Sequence, residues 1–102
     1  MKIAIATEGR ETSPLVSSKG RRSPYYLIFE DDNFLEAIKN PFISGSGGAS
    51  YSVVYILSEK NIKKFMSGEV GKNMEEALKQ RGIEFIKKDI SPADKIIKEI
   101  NK

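Results

Sequence analysis

Acidic and glycine residues directly follow two apolar, strand-like runs of the sequence. The first run ends at Thr7 and is followed by Glu8 and Gly9, and Gly68-Glu69-Val70-Gly71 follows a later run. Carboxylates are the side chains that proteins use for general acid and base work and for holding hard metal ions. Because neither motif brings a third ligand or a positioned partner, we favour surface roles for both carboxylates over catalysis.

A basic segment, residues 10–22, carries the whole excess positive charge of the chain. It contains Arg10, Lys19, Arg21 and Arg22 against a single acidic residue, and the rest of the sequence balances its charges. Two interpretations have equal weight: cations that bind an anion, or solvated charges on a loop. The net charge of +3 is too small to indicate nucleic acid or an anionic membrane as the partner.

A glycine- and serine-rich run at residues 44–48 offers main-chain N–H groups, with Gly47 and Gly48 at its end. It lacks the Gly-Lys-Ser/Thr ending of a phosphate-binding loop and the strand-turn-helix context of a dinucleotide fingerprint. A flexible connection is therefore favoured over a binding loop.

Four further residues receive structural interpretations. Asn73 stands three residues before Glu76, a spacing typical of a helix cap, so a cap is favoured over a ligand contact. Tyr25, Tyr26 and Tyr51 are interpreted as core aromatics in preference to a base-stacking platform.

Cysteine and histidine are absent from the 102 residues. The chain therefore supplies no thiolate nucleophile, disulfide, imidazole base or soft-ligand zinc or iron-sulfur site. No apolar run approaches the roughly 20 residues of a membrane span, and no signal-peptide pattern is found, so we expect a cytoplasmic protein. Abundant Lys, Glu and Ile without cysteine indicate a thermophilic source.

Hydrophobic periodicity and turn residues predict one domain of five strands and three helices. The strands are expected at residues 2–7, 25–30, 34–39, 62–67 and 83–86, and the helices at 49–60, 73–81 and from 91 onward. A strand is the competing prediction for residues 49–60, which are rich in β-branched side chains. Adjacent Lys63 and Lys64 would point to opposite faces of an interior strand, so that strand is expected to become regular only near Phe65.

This order predicts an α/β fold in which a meander and right-handed crossovers build a mixed five-stranded sheet covered by helices. The first, third and fourth strands run the same way, so their carboxyl ends meet at one edge. That edge receives the acidic turns, the basic segment and the glycine-rich run, and helix N-termini there favour anions. The residues therefore predict an anion-binding crevice.

Short motifs over almost the whole chain, taken in order and spacing, resemble one known family. They lie at residues 2–9, 13–14, 16–17, 22–28, 40–41, 47–49, 68–73, 76–78 and 82–83. The chain resembles the dinitrogenase iron-molybdenum cofactor biosynthesis proteins. The resemblance implies a ribonuclease H-like domain over residues 1–102, which binds or carries iron-molybdenum cofactor or an iron-sulfur precursor cluster during cofactor assembly.

One departure from the family lies in the basic segment. Residues 19–22 read Lys-Gly-Arg-Arg where the family commonly has His-Phe-Gly-Arg, so Lys19 replaces the histidine that would be the natural cluster ligand. A cluster would then be held by charge, N–H donors and carboxylates, or by the ligands of a protein partner. Members of the family also exist outside nitrogen fixation. The resemblance therefore leaves two roles open for this protein, one that keeps the metal cluster and a divergent one that has lost it.

We expect a non-enzymatic binding or carrier protein, a monomer or homodimer, with a possible protein partner in cofactor assembly. The candidate binding residues are Thr7, Glu8, Gly9, Lys19, Arg21, Arg22, Gly47, Gly48, Gly68, Glu69, Gly71 and Asn73. No residue is assigned to catalysis or to a metal ion. The alternatives are a module that binds nucleic acid or an acidic partner through residues 10–22, and a metal-dependent nuclease-like enzyme. The nuclease is disfavoured because only two carboxylates reach the edge.

Overall fold

A mixed β-sheet with helices packed against it positions the chemistry-bearing residues. The structure, a computed structural model, describes residues 1–9, 16, 20, 23–31, 33–42, 49–88, 92, 93, 95 and 97. Its elements are β1 (Lys2–Thr7), β2 (Tyr25–Glu30), β3 (Asn33–Lys39), α1 (Ala49–Glu59), β4 (Ile62–Ser67), α2 (Lys72–Gln80) and β5 (Glu84–Lys87).

Within the described residues, the five strands form one sheet in the order β3-β2-β1-β4-β5. β1 pairs antiparallel with β2 and parallel with β4, while β2 pairs antiparallel with β3 and β4 parallel with β5. Four strands therefore run the same way, and their carboxyl ends lie beside the start of β2. We call this side of the sheet the carboxyl edge. The predicted mixed α/β sheet is confirmed.

Alternation along the strands gives each face of the sheet its own apolar cluster. On the face that packs against α1 and α2, Ala4, Ala6 and Phe65 are buried with Leu57 and Leu78 of the helices. The small alanines of β1 let the helices approach the sheet closely. The buried residues of the opposite face are Ile3, Ile5, Val16, Leu27, Phe29, Met66, Ala93 and Ile97.

The first helix occupies most of the segment for which a strand was the competing prediction. α1 spans Ala49–Glu59, so the helix is confirmed. Tyr51 and Tyr55 lie one helical turn apart on its outer side and are 44% and 51% exposed, while Tyr26 is buried and Tyr25 is half-buried. The core prediction for Tyr51 is therefore wrong, since the helical period places Val53 and Leu57 inward and the tyrosines outward.

The second helix begins one residue earlier than its predicted cap. Gly71 is the N-cap and α2 starts at Lys72, so the prediction of Asn73 as a cap is wrong: Asn73 is already inside the first turn and exposed. At the other end, Gly82 has φ +70°, its N–H donates to the Lys79 carbonyl at 3.1 Å, and the Ile83 N–H donates to the Leu78 carbonyl at 2.9 Å. This pair of bonds is a Schellman motif, and the predicted stop at Gly82 is confirmed.

A bulge at the start of β4 accommodates the two adjacent lysines. Lys2 pairs with Ile62 and Ile3 with Lys64, so Lys63 is an extra residue that has no partner on β1. The strand spans Ile62–Ser67 as predicted, and its alternation is regular from Lys64, one residue before the predicted Phe65, because the bulge returns Lys64 to the alternation.

The last two predicted elements are recovered in part. β5 begins at Glu84, one residue later than expected, because the backbone of Ile83 closes α2. Ala93, Lys95 and Ile97 are helical, as the last predicted helix requires, but its bounds lie outside the described residues. In the described part of the chain, no helix has the length and apolar character needed to cross a bilayer.

Candidate functional site

Buried polar side chains lie just inside the carboxyl edge, where the strands end or begin. Thr7 ends β1, Ser23 precedes β2, Asn40 follows β3 and Ser67 ends β4, and none of the four is more than 2% exposed. Tyr26, also 2% exposed, lies among them on the helix-covered face. Buried polar groups need hydrogen-bond partners, so the contacts of these five residues determine how the turns at this edge are held.

Gly20 anchors the basic segment to this edge by both of its main-chain polar groups. Its N–H donates to the Glu69 carbonyl at 2.8 Å, and its carbonyl accepts from the Tyr26 hydroxyl at 2.6 Å. A Cβ at this position would lie 2.8 Å from Val70 Cγ1 and 3.0 Å from Phe65 Cε2. A glycine is therefore the residue that fits between β4 and the turn into α2, and Lys19 and Arg21 are its neighbours in sequence.

Asn40 joins the start of β2 to the turn after β3. Its Nδ2 donates to the Ser23 carbonyl at 2.9 Å and to the Tyr26 hydroxyl at 3.2 Å. Its Oδ1 accepts from the Phe42 N–H at 2.8 Å, a local bond that fixes the turn. The amide thus uses both ends of its side chain, one towards β2 and one towards the segment that leads to the glycine-rich run.

Ser23 and Thr7 complete the network at the centre of the edge. The Ser23 hydroxyl lies 2.8 Å from the Thr7 carbonyl and 2.7 Å from the Tyr25 carbonyl, and its single proton serves one of them at a time. The Thr7 hydroxyl donates to the Gly9 carbonyl at 2.8 Å, and Thr7 forms a β-bridge with Val16. No buried side-chain nitrogen or oxygen of the described residues lacks a hydrogen-bond partner.

The structure brings together the predicted site residues that it describes. They follow β1 and β4 or open α2 at the same edge: Thr7, Glu8, Gly9, Gly68, Glu69, Gly71 and Asn73. Thr7 and Gly68 are buried and shape their turns, whereas Glu8, Glu69, Gly71 and Asn73 are exposed. The other candidates, Lys19, Arg21, Arg22, Gly47 and Gly48, lie outside the described residues.

Five residues of the site were not among the predicted candidates. They are Gly20, Ser23, Tyr26, Asn40 and Ser67. A local signal exists for two of them: each precedes a proline, in Ser23-Pro24 and Asn40-Pro41, at a point where a strand begins or ends. Periodicity does not report the other three, because their hydrogen bonds join turns: Gly20 with Tyr26 and Glu69, and Ser67 with Glu69.

The acid and base groups of the described residues do not assemble into a metal centre. No three of their His, Cys, Asp or Glu side chains lie close enough to hold an ion. A surface groove along α2 is lined by Lys72, Glu75, Glu76 and Lys79, and it mixes both charges. What the described part of the carboxyl edge offers is two exposed acidic residues, Glu8 and Glu69, in the turns after β1 and β4, and Gly20 bonded between β2 and the turn into α2.

Comparison with known proteins connects this arrangement to a family and to solved structures. A family model described as dinitrogenase iron-molybdenum cofactor matches residues 1–102, whereas no curated protein matches. The apo form of the orange protein from Desulfovibrio gigas has a TM-score of 0.89 and 20% identity, covering 97% of this chain and 85% of that chain. A NifB-like protein of the DUF35 family from Thermotoga has a TM-score of 0.84 and 26% identity, with coverages of 97% and 85%. A dinitrogenase-like protein from Methanocaldococcus jannaschii has a TM-score of 0.66 and 17% identity, with coverages of 99% and 88%.

Proposed function

The chain belongs to the dinitrogenase iron-molybdenum cofactor family, and from this premise we propose that it is a non-enzymatic protein that binds or carries an anionic cofactor or cluster at its carboxyl edge. The cargo would be iron-molybdenum cofactor or an iron-sulfur precursor. Arg21, Arg22, Lys19 and the main-chain N–H groups near Gly47, Gly48 and Gly71 would make the contacts.

The observation that carries the proposal is the double anchoring of Gly20. Two hydrogen bonds fasten Gly20, near the end of the basic segment, to the Tyr26 hydroxyl on β2 and to the Glu69 carbonyl in the turn before α2. Cations next to an anchored residue lose less conformational entropy on binding than cations of a free loop. The same turn leads to the N-terminus of α2, where unpaired N–H groups favour anions.

The ligand chemistry of the chain restricts how a cluster would be held. Without cysteine or histidine, the protein offers no thiolate or imidazole to an iron or molybdenum atom. The donors that remain suit a cluster that keeps its own sulfur ligands and is held through its negative charge. Lys19, in place of the family's usual histidine, is consistent with that mode because an ammonium group attracts an anion but does not ligate metal.

The architecture and organisation belong to the same proposal. A sheet in the order β3-β2-β1-β4-β5 with β2 alone antiparallel supports a ribonuclease H-like domain over residues 1–102. We propose a cytoplasmic monomer or homodimer that meets a protein partner during cofactor assembly. Nothing in the described residues supports a two-metal nuclease, since no trio of potential ligands is found there.

The proposal is tested by loading the purified protein under anaerobic conditions. Isolated iron-molybdenum cofactor and an iron-sulfur precursor cluster are added separately, followed by gel filtration and metal analysis of the protein peak. We expect co-migration near one cluster per chain or per dimer. No metal above that of an unrelated control protein would refute cluster binding and favour a divergent module with another ligand.

Replacing Arg21 and Arg22 together by alanine should abolish this binding and change the melting temperature little. Lys63→Ala with Lys64→Ala is the charge-matched control, because these lysines lie at the opposite end of β4 from the carboxyl edge. Unchanged cluster binding by the arginine variant would show that the proposed crevice is wrong. Equal losses in both variants, removed by moderate salt, would indicate diffuse attraction and favour a nucleic-acid or acidic-partner module.

A further inference from the structure

We propose that β5 is an interface at which a second copy of the chain adds its own β5 in antiparallel orientation. Lys87 of each copy then lies over the groove between β5 and α2 of the other. The inference goes beyond the proposed function, which leaves monomer and homodimer open. It uses residues of β5, α2 and the adjoining turn alone, and it requires no bound cluster.

β5 has main-chain groups that point away from the sheet. The Lys88 N–H donates to the Ser67 carbonyl of β4 at 3.0 Å. Because alternate residues of a strand direct their N–H and C=O groups to the same side, Ile86 also faces β4, whereas Phe85 and Lys87 face outward. Among the described residues no strand pairs with this outer side, and all four residues of β5 are exposed or half-buried. The outer side is therefore open to another strand.

A two-fold axis through Ile86 gives the pairing that both the outward groups and the charges favour. Phe85 of each copy then pairs with Lys87 of the other, and these residues exchange four main-chain hydrogen bonds. On the face away from the helices, Glu84 of each copy lies opposite Lys88 of the other. An axis through Phe85 would place Glu84 opposite Ile86, and an axis through Lys87 would place two lysines opposite each other.

The groove beside β5 suits a lysine of the second copy. Its volume is about 320 Å³, and it is lined by Glu75, Leu78, Lys79, Ile83, Glu84 and Phe85. Leu78 and Ile83 are buried and make an apolar floor, while Glu75 is exposed on the rim. Lys87 of the second copy stands opposite Phe85 on the helix-covered face, so its aliphatic stem covers this floor and its ammonium group meets the acidic rim.

The other edge of the sheet, β3, is less suited to pairing with itself, although Phe34 and Leu35 are exposed there. Leu35 lies in a bulge, because Phe34 and Glu36 pair with successive residues of β2. Bulges twist an edge strand away from a partner strand. An axis through Glu36 would also place two carboxylates opposite each other, and an axis through Ala37 would place Glu36 opposite Ile38. The observations therefore favour β5.

The first test measures association of the full chain, without any cluster, against protein concentration. Because the paired strands are short, we expect sedimentation equilibrium to show a weak, reversible dimer that forms between micromolar and millimolar concentration. In dilute solution β5 exchanges its amide hydrogens as an edge strand. As the concentration rises, NMR should show protection of the outward Phe85 and Lys87 amides and no change at Ile86 and Lys88. A monomer at every concentration overturns the interface.

Lys87→Pro tests the main-chain bonds, because it removes an outward N–H and leaves the ladder with β4 intact. Lys87→Ala is the matched control, which loses the same side chain and keeps the N–H. Each dimer of the proline variant lacks two donors, so its dissociation constant should exceed that of Lys87→Ala at least about tenfold. Thermal melting establishes that both variants are folded. Equal association of the two variants overturns the proposed pairing.

Glu84→Lys and Lys88→Glu test the register by exchanging charges. Each variant alone should associate more weakly than the unaltered chain, since like charges meet twice. An equimolar mixture should form a heterodimer in which both pairs are complementary again, a rescue that a folding defect does not produce. A mixture that stays monomeric, or a dimer lost in Phe34→Ser instead, overturns the interface at β5. Cluster loading is measured separately, so failure of this proposal and failure of the proposed function are distinguishable.

Discussion

Gly20 is held at the carboxyl edge by its packing and by both of its main-chain polar groups. Its packing leaves no room for a Cβ, because an atom in that place would be 2.8 Å from Val70 Cγ1 and 3.1 Å from Ser67 Oγ. Both main-chain groups are bonded, to Glu69 and to Tyr26. A substitution of this buried glycine therefore tests how residue 20 is held at the edge without removing any positive charge from the chain.

We expect Gly20→Ala to lower the free energy of unfolding by about 1–3 kcal/mol, the usual cost of overpacking, and to weaken cluster binding. Chemical denaturation and the anaerobic binding assay measure the two effects. Val70→Ala removes the nearest atom, so the double variant should be less destabilised than the sum of the single changes. Full stability in Gly20→Ala would mean that the segment moves aside freely and that the anchor is weak.

At the scale of elements, α2 contributes its N-terminus to the carboxyl edge. Gly71 caps the helix with φ −73°, an angle that any residue adopts, and a Cβ there meets no atom of the described residues within 4 Å. The cap has no side-chain acceptor for the first N–H groups. In the proposed site, a side-chain cap and a bound anion would compete for the same N–H donors at this position.

Gly71→Ser should raise the free energy of unfolding by about 0.5 kcal/mol, because a serine hydroxyl at the N-cap accepts one of those N–H groups. The same variant should bind the cluster more weakly, since the occupied donor is no longer offered. Gly71→Ala is the control, as it adds the Cβ without an acceptor. If Gly71→Ser bound the cluster as well as the unaltered protein, the α2 N-terminus would have no part in the site.

The sequence predicted the elements well where one period governed the residues. Met74, Ala77 and Leu78 repeat at helical spacing and are all buried in α2, and Gly82 ends that helix. The exposed position of Tyr51 was missed because a run apolar on nearly every side has no period to orient it. The start of β4 at Ile62 was predicted, but the bulge at Lys63 was not, since alternation alone does not reveal a bulge.

The sequence predicted where the candidate site lies better than it predicted the contacts within that site. Strand direction placed Glu8 and Glu69 at one edge, as observed. The bonds that build the edge join Gly20 to Tyr26, six residues apart, and Asn40 to Ser23, 17 residues apart, and neither pairing follows from a helical or strand period. The prediction that Arg21 and Arg22 contact the ligand concerns residues outside the described part and stays a prediction.

At the scale of the whole molecule, the burial of strand residues decreases from the centre of the sheet to its β3 side. β1 is paired on both sides and all its residues after Lys2 are buried, whereas β3 ends the sheet and none of its residues is fully buried. Phe34 and Leu35 are 54% and 45% exposed. A Lys60–Glu36 ion pair at 3.1 Å ties β3 to the α1–β4 turn, but a pair this exposed contributes little.

We expect amide hydrogen exchange to be slowest in β1 and faster in the edge strands β3 and β5, neither of which has a fully buried residue. Native-state exchange followed by mass spectrometry or NMR measures the order. Exchange in β3 as slow as in β1 would contradict this expectation and indicate that something covers the strand in solution. A dependence of that protection on protein concentration would identify the cover as a second copy of the chain.

The bulge at Lys63 is a point at which related chains can differ in length by one residue. Ile62 and Phe65 lie on the helix-covered face, and Met66 lies on the opposite face. The alternation is regular from Lys64 onward, so Lys64 falls on the same face as Met66. A chain shorter by Lys63 alone would keep every later residue of β4 on its present face and turn the bulge into regular strand. Relatives aligned to this sequence are therefore expected to place a one-residue gap here, where an insertion or deletion leaves the distant carboxyl edge undisturbed.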